Sequence, residues 1–161
     1  MLENSFDYQN ASDSELFEYF LARGGSLRMM SNVDDKDLQS IESYASQLFA
    51  SGDFSAARNL YLMLCTLDHW NIEYLLAQGL CHQRLKDHGQ AIGCFTRAAS
   101  LKIDDPRSAF FTAISLRYMG CEEQAVKALN AVTMWCGAQP QYQEIKGSAQ
   151  RMLASYKEEI S

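Results

Sequence analysis

The chain has 161 residues, of which 47% are hydrophobic and 21% charged, enough for one self-supporting core and too apolar for a disordered segment. Its net charge is -6, and residues 1–40 carry -5 of it, eight acids against three bases, so a phosphate backbone would be repelled and nucleic acid is excluded as a partner. Five cysteines (Cys65, Cys81, Cys94, Cys121, Cys136) form an odd number without CxxC spacing, which points away from a disulfide framework or a zinc site and toward buried apolar thiols in a reducing compartment.

In chain order, Met1 to Asn10 has neither a basic region followed by an apolar run nor any periodicity, so no secretory signal is expected. Ser12 and Glu15 have the form of a capping box that opens a short helix with Leu16, Phe17, Phe20 and Leu21 on one face, ending at Gly24-Gly25. That stripe must dock, either on the rest of the chain or on a second copy of it. Leu27, Met29, Met30 and Val33 make an apolar linker. Asp34 begins the next helix, with acids in its first turn, and this helix runs to about Ala50. A partner helix follows from about Ser55 to Leu67. The next pair turns at Lys86 to Gly89, and the third starts at Pro106, which suits a first helical turn because its missing N–H would be unpaired there. The third pair turns at Gly120. After Gly137 and Pro140 a last helix carries Tyr142, Ile145, Ala149, Met152 and Tyr156 as a single apolar stripe. No apolar run reaches the roughly 18 residues of a membrane span.

Three of these pairs share one spacing. Gly79, Ala91, Phe95 and Ala98, stepped back 34 residues, fall on Ala45, Ala57, Tyr61 and Leu64; stepped forward, they fall on Ala113, Ala125, Leu129 and Val132. Small residues allow two helices to approach closely, and large ones fill the space beside them. A period of 34 with this pattern is the signature of the tetratricopeptide repeat. The predicted fold is therefore all-α: three tetratricopeptide-like helix pairs (38–71, 72–105 and 106–137, within a unit of 34–137) stacked as a short solenoid. An N-terminal helical segment (1–33) and a C-terminal capping helix (138–161) flank it.

In such a solenoid the first helix of each pair lines the concave side, where exposed apolar residues have no core role. Counting from the repeated positions, Phe49, Leu76, Leu80, Phe110, Ile114 and Tyr118 are expected to form an apolar trough, and Gln83 and Arg117 to hydrogen-bond a peptide backbone. Three anchors buried at ~1.5 to 3 kcal/mol each, less the ordering of the segment, imply affinity of about micromolar or better. Catalysis finds no support. Cys65 and His69 sit at a helix end, where capping and packing explain them, His82 and His88 lack acidic or thiol partners at ligand spacing, and Gly24-Gly25 lacks the strand and further glycine of a phosphate loop. No cofactor or metal is expected.

Leu67-Asp68-His69-Trp70-Asn71, Gly79-Leu80-Cys81-His82-Gln83 and Lys102-Ile103-Asp104-Asp105-Pro106-Arg107 closely resemble the segments that join and open the repeats of the class II chaperones of bacterial type III secretion, the SycD/LcrH-like family. Arg23-Gly24-Gly25-Ser26-Leu27 and Ala50-Ser51-Gly52-Asp53-Phe54 fit the same pattern, so the resemblance covers about residues 14 to 135. One departure is that the proline common near the end of a tetratricopeptide unit is replaced by His69, Ile103 and Gly137. The resemblance implies a non-enzymatic chaperone in the bacterial cytoplasm that holds hydrophobic, pore-forming translocator subunits soluble until export. It implies binding through an extended segment with proline and leucine anchors, and homodimer contacts through the helix bearing Leu16, Phe17, Phe20 and Leu21. Some relatives serve an effector or assist a transcriptional activator. A chaperone specific for effectors, or a scaffold bridging folded proteins, would have the same fold. Membrane insertion is not expected.

Overall fold

The computed structural model describes residues 33–160, and the N-terminal helix expected around Leu16 to Leu21 lies outside them. Seven α-helices follow one another among the described residues: α1 (Asp35–Ala50), α2 (Phe54–Leu67), α3 (Ile72–Arg84), α4 (His88–Leu101), α5 (Pro106–Tyr118), α6 (Glu122–Cys136) and, after a 3-10 turn at Pro140–Tyr142, α7 (Gln143–Ile160). Each helix packs mainly on its neighbours in sequence, while α3 touches α5 and α5 touches α7, as in a stack of antiparallel hairpins.

The helix starts follow from short polar side chains. Asp34 and Asp37 form a reciprocal capping box on α1, with Asp37 N–H donating to Asp34 Oδ1 at 2.9 Å. Asp53, Asn71, Asp87 and Asp105 cap α2, α3, α4 and α5, each side chain accepting one amide of the first turn. The turns inside the three hairpins are copies of one another. Gly52, Lys86 and Gly120 take positive φ (88°, 61° and 75°), and the next amide reaches back to Leu48, His82 or Leu116 at 2.9 Å. The second turn occupies Leu85 to Asp87, so Gly89, expected within it, instead lies in the first turn of α4. Asp87 caps that helix and ends the turn two residues early.

The third copy of the turn differs at its cap. Asp53 and Asp87 each accept an amide of the following helix, but Cys121, at the equivalent place before α6, makes no side-chain cap bond. Cys121→Asp is expected to supply it and raise stability by about 0.5–1.5 kcal/mol, measured as a shift in the urea midpoint.

All twelve positions of the repeated spacing are buried. Gly79 lies so close to the Phe95 ring that a Cβ there would fall 2.3 Å from Cε1, which is why α3 and α4 can cross at that point. Two apolar clusters result. The first spans α1 to α4, and the second joins α5, α6 and α7. Phe111 of α5 packs against the first cluster, with its ring 5.5 Å from Phe95 and 5.8 Å from Phe110, which belongs to the second. Ala149 and Tyr156 of α7 are buried on α6 and α5, with Tyr142, Ile145 and Met152 beside them, so α7 closes the open end of the stack.

Across the first helices of successive hairpins, Arg107 ties the layers together. Its guanidinium donates to Glu73 on α3 at 2.9 and 2.7 Å, and to the buried Asp105 at 3.0, 3.3 and 2.8 Å. Burial pushes the Asp105 carboxyl up, but the hydrogen bonds from Arg107 and the nearby charges of Arg107 and Lys102 outweigh it and hold it below the usual carboxylate range.

Candidate functional site: a concave apolar cavity

Helices α1, α3 and α5 face one cavity of about 830 Å³. Phe49 enters from the end of α1, Leu80, Gln83 and Arg84 from α3, and Phe111, Ile114 and Tyr118 from α5. Lys86 in the hairpin turn and His88 at the start of α4 complete it. The α5 residues lie three and four apart, so they share one face of the helix. No carboxylate is among the lining residues.

Several side chains in the wall are held in place by specific contacts. Gln83 Nε2 donates to the Phe111 carbonyl at 2.7 Å and to Ser115 Oγ at 2.8 Å, and His88 Nδ1 lies 3.3 Å from the same hydroxyl. The His88 ring stacks on Tyr118, centroids 5.0 Å apart and 8° from parallel. The Arg84 guanidinium sits 5.7 Å from the ring centroids of both Phe49 and Phe54, which themselves meet edge to face at 5.1 Å. Tyr118 is 75% exposed, so a flat aromatic face is available at the mouth.

Of the residues expected in the trough, Phe49, Leu80, Gln83, Ile114 and Tyr118 come together here, and three do not. Leu76 is 3% exposed and part of the first core, because it lies one turn deeper between α3 and its neighbours. Phe110 packs against the second cluster, one turn before Ile114, and does not line the cavity. Arg117 lies outside the cavity, its guanidinium 5.2 Å from the Tyr156 ring of α7. Gln83 lines the wall, but its amide nitrogen is engaged with α5 rather than open to a peptide. Phe111 joins the wall although it is not among the expected residues; its spacing of three and seven to Ile114 and Tyr118 signals it. Arg84, Lys86 and His88 are likewise additions to the expected set.

Elsewhere, burial pushes the Cys65 thiol up to about 12 and Cys81 up to about 11, so neither supplies a thiolate near neutral pH. His69 beside Cys65 in sequence rests its ring 4.7 Å from Trp70, and its Nδ1 is buried without a partner. Among the described residues no group of three His, Cys, Asp or Glu is placed to hold a metal, and no helix is long and apolar enough to cross a membrane.

The hairpin stack is a tetratricopeptide-type solenoid, and the tetratricopeptide repeat family model matches residues 38–71. More narrowly, the chain is homologous to low calcium response locus protein H and matches type III secretion translocator chaperones in fold. It is 27% identical over 151 residues to that protein of Yersinia pseudotuberculosis, covering 94% of this chain and 87% of the relative. SycD, the type III secretion translocator chaperone of Yersinia enterocolitica, superimposes with a TM-score of 0.79 at 25% identity, over 81% of this chain and 98% of SycD. SycD has also been solved as an alternative dimer and with a peptide of the translocator YopD. A type III secretion complex from Aeromonas hydrophila contains a chain with a TM-score of 0.81 and 27% identity, covering 89% of this chain and 96% of that one.

Proposed function

We propose that this chain is a chaperone of bacterial type III secretion that works in the cytoplasm without catalysis, holding a hydrophobic translocator subunit by an extended segment laid in the α1/α3/α5 cavity. The observation that carries the reading is the cavity itself: Leu80, Phe111 and Ile114 form an apolar wall on the inner side of the stack. Homology to low calcium response locus protein H and the fold shared with SycD support the same reading. The working unit is the span 34–137, with 138–161 as its cap.

Apolar anchors of the client would leave water for that wall, while Gln83 and His88 stay paired with α5. Each anchor contributes through the area it removes from water, and the ordering of the segment opposes it. A client held this way keeps its pore-forming surface from aggregating. The test is co-expression with a hydrophobic type III translocator subunit of the same organism. Wild type is expected to keep that subunit soluble and to co-purify with it. Ile114→Asp combined with Tyr118→Asp is expected to lose co-purification with helical circular dichroism unchanged, since Tyr118 is exposed and Ile114 only half-buried. Undiminished co-purification would remove the cavity from the account.

The same proposal places Leu16, Phe17, Phe20 and Leu21 at a homodimer contact. Light scattering is expected to give the mass of two copies for the full chain and of one copy for a chain lacking residues 1–30. A mass of two truncated copies would sink this assignment.

A further inference from the structure

We propose that Lys86, with Arg84 and His88 beside it, forms a cationic subsite at the cavity rim that pairs with an aspartate or glutamate flanking the apolar anchors of the client. The inference rests on the reading of the cavity as the client site, and names what that site selects.

The first observation is conformational. Gly52, Lys86 and Gly120 occupy equivalent places in three turns with one backbone hydrogen-bond pattern, all with positive φ. Glycine takes that conformation freely, whereas a side chain crowds the backbone, so lysine is the wrong residue for this turn on local grounds. A residue held there against its preference is a marker of function. Of the three turns, the one that carries lysine is the one that lines the cavity.

The second observation is electrostatic. Two cationic side chains, Arg84 and Lys86, line the cavity beside His88 with no carboxylate among the lining residues, in a chain whose net charge is -6. The nearest acid in sequence, Asp87, does not line the cavity: it caps α4, its Oδ1 accepting the Gln90 amide at 3.4 Å. Arg84 is steadied by the two phenylalanine rings beneath it, and His88 by Tyr118 and Ser115. Such a rim stabilises a carboxylate brought next to an apolar wall, and repels a basic flank.

The test is a selection of peptides from a random display library on the full chain. Expected are peptides with leucine, valine or proline anchors and an excess of Asp and Glu beside them. Apolar peptides without that excess would overturn the cationic subsite while leaving the cavity as the client site. No enriched peptide at all would overturn both. The best selected peptide is then titrated by fluorescence anisotropy. Lys86→Gln is expected to bind it about three-fold more weakly at low ionic strength, and the difference is expected to vanish when salt screens the charges. Lys86→Gly is expected to lose the same affinity with Tm at or above that of wild type, because glycine suits the turn. Unchanged affinity in both variants, or a fall in Tm for Lys86→Gly, would assign the lysine to the fold and overturn the proposal.

Discussion

Gly79→Ala is expected to destabilise the fold by about 1 kcal/mol, the reverse of what the same change does in an exposed helix. On its own, alanine in a helix interior gains up to ~1 kcal/mol over glycine. Here the added methyl would lie 2.3 Å from the Phe95 ring, a separation that atoms do not tolerate. The ring has little room to retreat, because Phe95 is fully buried and leans on Phe111. Overpacking of a close-packed core costs about 1–3 kcal/mol, which outweighs the helical gain. The measurement is urea unfolding of Gly79→Ala, Phe95→Leu and the double variant. The double is expected to be less destabilised than the two singles added together, by roughly 0.5–3 kcal/mol. Additive losses would mean that the two side chains do not compete for the same space.

Asp105→Ala is expected to cost about 2–4 kcal/mol, through the lost cap of α5 and the loss of Arg107's buried partner. Glu73 still pairs with Arg107 and moderates the loss. Asp105→Asn, which retains a capping oxygen but no charge, is expected to lie between that variant and wild type. The pH dependence has a definite sign. The folded pKa of Asp105 is depressed, so its contribution is fully present above the unfolded value of about 3.9 and disappears as pH falls through the folded one. Wild type should therefore lose more stability on acidification below about pH 4 than Asp105→Ala does. Parallel acid profiles would show that the carboxylate carries no net stabilisation.

The layout of hairpins was legible in the sequence because helix crossings are governed by contact distance: where alanine or glycine recurs every 34 residues, the crossings recur too. The last helix was legible for a related reason, its apolar residues forming one stripe on a polar cylinder. The cavity was only half legible. Phe110 and Phe111 are adjacent aromatics, and which of them faces inward depends on how α5 is rotated against α3 and α7, which repeat spacing does not fix. Leu76 and Leu80 lie on one face of α3, but only their depth in the stack separates core from wall. Gln83 looked free because its partners, Phe111 and Ser115, are 28 and 32 residues away. Lys86 is visible as the one departure from glycine at the hairpin turns, but its significance depends on the backbone angle, which composition does not reveal.

Leu80 and Phe111 belong to the first core and to the cavity wall at once. An occupant resting on them is therefore coupled to the melting of the whole chain: at a hundred times its Kd, a ligand bound only by the native state adds about 2.7 kcal/mol. Loaded and vacant molecules would then differ in lifetime as well as in cargo, with the vacant ones the first to open and be cleared by proteases.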